Sequence, residues 1–118
     1  MITKIVEQLK TGTIKNVVPF GMDNLPEPPY VVVKPERDPV GRGRAYRIFV
    51  HYLPGQQTFL EDYLFNELST LLTDFSATSR HGNKNRLYME QEYNDIMVSN
   101  DDGTISMERT FLLPSRLF

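Results

Sequence analysis

Ile2, Ile5, Val6 and Leu9 fall at i, i+3, i+4 and i+7, the stripe of an amphipathic helix, and Gly12 offers its stop. Residues 14–33 start with Ile14, Val17 and Val18 and then turn proline-rich at Pro19, Pro26, Pro28 and Pro29. Proline fixes φ and pushes the preceding residue toward extended backbone, so 19–29 reads as an ordered extended arm anchored by Phe20, Met22 and Leu25. Tyr30-Val31-Val32-Val33 is short and β-branched, a buried strand. Lys34 to Gly43 reads as a loop, because Pro35 and Pro39 break strand pairing and Gly41-Arg42-Gly43-Arg44 is flexible.

The clearest strand is Ala45 to Leu53. Tyr46, Ile48, Val50 and Tyr52 share one face and Arg47, Phe49, His51 and Leu53 the other. Both faces are fairly apolar, which suits a central position. Pro54-Gly55 ends it, and Thr58-Phe59-Leu60-Glu61 has the spacing of a capping box that opens a helix over 58–72. Leu60, Tyr63, Leu64, Leu68, Leu71 and Leu72 form that helix's wide apolar stripe, and Glu61, Asp62 and Glu67 fall mainly off it. Residues 76–86 are polar and loop-like. Leu87 to Val98 and Thr104 to Leu113 are extended runs joined by the turn Asn100-Asp101-Asp102-Gly103. In the second run Ile105, Met107, Arg109, Phe111 and Leu113 share a face. The first run is polar in its middle, which places it at a sheet edge or in a projecting hairpin 87–113.

The order predicts an α+β fold. A mixed or antiparallel sheet of about four strands carries a long C-terminal hairpin, with one face covered by helix 58–72 and a short N-terminal helix. The 118 residues suit a single domain spanning 1–118. Cysteine is absent, which excludes a disulfide framework, thiolate catalysis and cysteine-bound metal centres. No apolar run approaches the roughly 18–20 residues of a membrane helix, and Glu7 sits where a signal peptide wants apolar residues, so the chain is expected in the cytoplasm when made.

Charge is segregated, although the total is only −2. Residues 34–47 and 80–86 are basic blocks, and 55–79 and 87–113 are acidic ones. Patches of opposite sign on a small domain suit self-association or a charged partner. Glu90, Glu92 and Asp95 near Lys84 raise the idea of a metal-dependent nuclease, but a regular strand puts Asp95 opposite the two glutamates, so the expected reading is a solvated face. His51 and His81 lie in no nucleophile motif and read as structural. The arginines of the 34–44 loop fit either a solubilising connection or an arm that touches phosphates or acidic neighbours. The six tyrosines fit either interfaces or half-buried strand positions. The tail ending Leu117-Phe118 either frays or docks on a neighbour.

With Pro29-Tyr30-Val31-Val32-Val33, Arg47-Ile48-Phe49-Val50-His51-Tyr52-Leu53 and this order of elements, nearly the whole chain resembles the tail-terminator and tail-completion (neck) proteins of long-tailed bacteriophages, lambda's terminator among them. The resemblance implies a homohexameric ring that caps the tail tube, stops its polymerisation and joins it to head-completion or neck proteins. It implies a virion structural protein, assembled in the host cytoplasm, with no enzymatic activity and no cofactor. Partners would be sister copies, the tube protein and the neck protein, with passive contact to phage DNA and no membrane. On that reading Arg37, Arg42, Arg44, Asp101, Asp102 and Phe118 are the candidate oligomer or channel contacts. The alternative is a small nucleic-acid-binding or nucleic-acid-processing protein using 34–47 and 80–86.

Overall fold

The computed structural model describes residues 2–37, 43–73, 75–78, 84–87, 90–91 and 96–114. Its order is α1 (Ile2–Leu9), β1 (Val17–Pro19), β2 (Tyr30–Glu36), β3 (Gly43–Tyr52), a 3-10 turn (Pro54–Gln56), a π-helical segment (Tyr63–Glu67), α2 (Leu68–Thr73), β4 (Phe75–Thr78), β5 (Lys84–Leu87), β6 (Glu90–Gln91), β7 (Ile96–Ser99) and β8 (Ile105–Pro114).

The fold is α+β with one main mixed sheet. Its strand order is β1-β2-β3-β8-β6, and β7 also pairs with β8. β6 meets Phe111 and Leu112, whereas β7 meets 105–108. Both lie on the side of β8 away from β3, so they share one strand position and the sheet is five positions wide. β1 runs parallel to β2, and every other pairing is antiparallel.

The central placement of the 45–53 run holds, since β3 pairs with β2 over seven residues and with β8 over ten. Val31 and Val33 of β2, Tyr46, Ile48, Val50 and Tyr52 of β3, and Met107 and Phe111 of β8 face the helices. There they meet Ile5, Leu9, Leu60, Leu64, Leu68 and Leu72, the two stripes legible in the sequence. Burying such a side chain contributes roughly 1.5–3 kcal/mol, so this layer supplies most of the drive to fold. α1 is tied across the layer by Gln8 Nε2, which donates to the Leu71 carbonyl at 3.0 Å. Gly12 sits where a Cβ would lie 2.7 Å from Leu71 Cδ1, so its lack of a side chain admits the close approach of the second helix.

Several expectations change. The loop expected at 34–43 is shorter, because β2 continues through Pro35 to Glu36 and β3 starts at Gly43. Val31 N–H donates to Asn16 O and Phe20 N–H to Val33 O, so the odd residues of β2 turn their backbone groups toward β1. Pro35 falls on that side beyond the last β1 partner, where no donor is required. Helical structure starts at 61 rather than 58. The expected capping box gives way to a turn governed by Gln56: its side-chain oxygen accepts from Leu53 N–H at 2.8 Å, and its carbonyl accepts from Leu60 N–H at 2.9 Å.

The helix then widens. Leu68 N–H donates to Tyr63 O, five residues back rather than four. Residues 76–86 are not simply a loop, since β4 and β5 pair as a separate two-stranded sheet. The run from Leu87 to Val98 is not one strand but is divided among β5, β6 and β7, and the last two form the sheet edge expected from its polarity. Residues 19–29 are not a simple arm. Pro19 closes β1, and turns and bends follow up to β2.

Candidate functional site

Among the described residues, no helix lies on the second face of the main sheet. Strand register lays out its rows. Tyr30, His51, Ser106 and Val98 form one cross-strand row, and Val32, Phe49, Glu108 and Ile96 form the next. Over the β2–β3 side of these rows, Phe20, Gly21, Met22 and Leu25 form a rim. Rim and rows enclose an apolar groove of about 340 Å³ lined also by Tyr30, Val32, Phe49 and His51. The anchors expected in 19–29 are therefore not buried: Phe20, Met22 and Leu25 remain 59%, 48% and 52% exposed. They shape a surface rather than fill a core. Lys34 Nζ lies 4.8 Å from the Phe20 ring centroid and holds that rim by a cation–π contact.

His51 stands at the centre of this face. Its ring stacks on Tyr30 at 4.7 Å and lies 6.2 Å from Phe49. Nδ1 is 2.9 Å from Ser106 Oγ, which accepts from Asn100 Nδ2 at 2.7 Å. With that amide donating into Oγ, the hydroxyl proton is free to turn to Nδ1 of a neutral imidazole. Burial lowers the His51 pKa, and the charges of Asp102 and Glu108 oppose the shift. Ser106 is buried, so the pair is a strut between β3, β8 and the turn rather than an accessible nucleophile. Sequence reasoning found no serine beside this histidine because the two are 55 residues apart and only strand register joins them.

The candidate contact residues separate into two groups. Arg37 is exposed immediately after β2, and Arg44 is exposed at the start of β3. The register brings the two together, since Glu36 pairs with Ala45. Arg44 also reaches Tyr46, whose hydroxyl pKa burial raises and Arg44 draws back down. Asp101 and Asp102 are exposed in the turn at the other end of the sheet, beside Ile105 and hence Tyr52. Asp102 Oδ1 accepts from Thr104 Oγ1 at 2.6 Å and from Thr104 N–H at 3.0 Å, and these bonds lower its pKa.

From Arg44 to Tyr52 the strand spans about 26 Å at ~3.3 Å per residue. The basic and acidic candidates thus stand at opposite ends of one sheet. Arg42 and Phe118 lie outside the described residues, as do His81, Glu92 and Asp95.

Between the two ends runs an ion-pair ladder. Arg47 Nε is 3.5 Å from Glu36 Oε1 and Nη1 is 3.6 Å from Glu108 Oε1, while Lys34 Nζ is 3.6 Å from Glu36 Oε1. Lys34 and Arg47 therefore already face carboxylates, which reduces what the 34–47 block offers to phosphate. Of the six tyrosines, Tyr30, Tyr46, Tyr52 and Tyr63 are buried and fill strand and helix positions, while Tyr88 and Tyr93 lie outside the described residues. Among the described residues no three His, Asp or Glu side chains gather as metal ligands, and no helix is long and apolar enough to cross a membrane.

No protein-family model matches the chain, and no curated protein or solved structure matches it. What the surface can do is therefore argued from its own chemistry. It has an apolar groove, a half-exposed apolar edge at Ile96, Met97 and Val98, and charged ends of opposite sign. Such features suit contact with other macromolecules. A second, more polar depression of about 480 Å³ on the helical side, lined by Thr13, Phe59, Asp62, Tyr63, Asn66, Glu67 and Thr70, exposes Phe59 in the same manner.

Proposed function

We propose that this chain is a structural assembly protein of a phage tail or neck. It forms a ring that caps the tail tube, ends its polymerisation and joins it to the head-completion proteins. The observation that carries the proposal is the placement of Arg37 and Arg44 at one end of the sheet and of Asp101 and Asp102 at the other. A basic end and an acidic end on one rigid sheet are complementary to each other on successive copies. Contacts between two different patches are heterologous, and heterologous contacts generate rings when the rotation closes. The exposed Phe20, Leu25, Phe59 and Phe65 add apolar area of the kind that interfaces cover.

On this reading the basic end, with Arg42 between Arg37 and Arg44 in sequence, also borders the channel that DNA crosses. The test is the triple variant Arg37→Ala, Arg42→Ala, Arg44→Ala. Its circular dichroism should match the parent, while its assembled mass by light scattering and its retention of DNA should fall. A triple variant that assembles like the parent removes the proposal. DNA titration at two salt concentrations separates the nucleic-acid alternative: a monomer or dimer whose DNA affinity drops steeply with salt would favour that alternative instead.

A further inference from the structure

The two edges of the main sheet are built differently. On β1, Asn16 O and Phe20 N–H bond to β2, so the backbone groups of Val17 and Pro19 point outward. Val17 N–H is already used by Lys15 O at 3.1 Å, and Pro19 has no N–H. That edge offers no donor to an incoming strand and is sealed.

On the other edge, Asn100 N–H donates to Thr104 O at 2.9 Å, which fixes the alternation along the hairpin. Ser106 and Glu108, and opposite them Val98 and Ile96, form the hydrogen-bonded pairs of the β7–β8 ladder. The N–H and C=O groups of Met97 and Ser99 therefore point away from β8, along an edge whose four residues are all exposed. The stretch Ile96-Met97-Val98-Ser99 carries no charge and no proline, the devices by which edge strands discourage pairing.

We propose that β7 pairs antiparallel with β7 of a second copy across a two-fold axis normal to the sheet. Strand addition of β7 onto β1 of another copy is disfavoured, because β1 presents no outward N–H, whereas two β7 strands are self-complementary. In the register centred on Met97, the two Met97 residues exchange both N–H···O=C bonds. Ile96 of each copy then stands beside Val98 of the other on the helix-free face, and the two Met97 side chains meet on the helix face. Every described cross-strand pair in that register is apolar. The helix-free faces of the two copies become continuous, with both grooves on the same side. This contact goes beyond the ring reading and does not rest on it. A ring is built head-to-tail, and a two-fold contact doubles whatever unit the rest of the surface builds.

The test compares wild type with Met97→Pro by light scattering and sedimentation over a concentration series. Proline at 97 removes the outward N–H and the Met97 side chain, both parts of the proposed contact, and takes no hydrogen bond from the ladder to β8. The mass of Met97→Pro should be half that of wild type, whether as dimer to monomer or as double ring to single ring. Equal masses, or a wild type that stays at 13.7 kDa throughout, overturn the proposal. The chain has no cysteine, so Met97→Cys supplies a second readout that needs no disruption. A short bis-maleimide should give a covalent dimer at 97 and not at an exposed control, Lys4→Cys on α1. Equal cross-linking at both positions contradicts the pairing. A six-fold ring unchanged by Met97→Pro sinks this contact and leaves the ring. A wild-type dimer split by the proline does the reverse.

Discussion

Replacing Arg109 by alanine should destabilise the fold far more than its place in a strand suggests. Arg109 lies on the core face of β8 and is only 4% exposed. Its Nη2 donates to the Leu64 carbonyl at 2.7 Å and its Nη1 to Ser69 Oγ at 2.9 Å. Leu64 belongs to the π-helical turn, so the guanidinium clamps the widened part of the helix onto the sheet. A hydrogen bond to a charged group contributes about 1.5–3 kcal/mol, and a buried acceptor left orphaned costs about 1–3 kcal/mol. Ser69 can re-aim its hydroxyl, but the Leu64 carbonyl cannot move. The charge leaves with the side chain, so what remains is the unsatisfied Leu64 carbonyl beside a cavity, and we expect Arg109→Ala to cost about 2–4 kcal/mol. For a domain of this size that lowers Tm by roughly 4 °C per kcal/mol.

Urea unfolding followed by circular dichroism reads the loss directly. Arg109→Met separates the causes, because it keeps much of the volume but still leaves the Leu64 carbonyl unsatisfied, so it should retain a loss of at least about 1 kcal/mol. If Arg109→Ala costs under about 1 kcal/mol, or if Arg109→Met restores the parent's stability, the clamp argument fails.

The Tyr52 hydroxyl is buried and finds no hydrogen-bond partner among the described residues, so Tyr52→Phe should be neutral or stabilise by up to about 1 kcal/mol in the same urea assay. A loss above that would mean the hydroxyl has a partner. The folded-state pKa of His51 lies below its ordinary value of 6.5, so between that value and its folded pKa the unfolded chain binds more protons. Stability should therefore fall as pH drops through 6.5 and level off once the folded ring also protonates. His51→Gln should flatten that slope, and an unchanged slope assigns the proton to another group. Gly103 holds φ of +89°, so Gly103→Ala should cost about 1 kcal/mol or more by strain in the hairpin turn. A neutral result would show that the turn relaxes.

The parts of the fold that were legible in the sequence are those set by periodicity. The stripe Ile2, Ile5, Val6, Leu9 and the leucines of 60–72 carry period 3.6, and Tyr46 to Tyr52 carries period 2 with apolar residues on both sides. The Asn100–Gly103 turn was legible because Gly103 takes the positive φ that such a loop demands. What escaped depends on partners distant in sequence. Pro35 looked like a break, but whether it interrupts a strand depends on which side its missing donor would face, and that is set by where β1 ends. The 3-10 entry and π turn of the second helix are set by Gln56 and Arg109, which local pattern does not reveal. The candidate surface was legible only as charge blocks. That Arg37 and Arg44 stand together and opposite Asp101 and Asp102 is a consequence of register, and the groove needs turns after β1 that no pattern specifies.

The most direct test of the ring account is electron microscopy of the purified, concentrated chain alongside its mass by light scattering. The account predicts closed particles with a central opening and a mass that is a whole multiple of 13.7 kDa, six-fold or a doubling of six. A population that remains monomeric at every concentration, with no ring in any image, contradicts it.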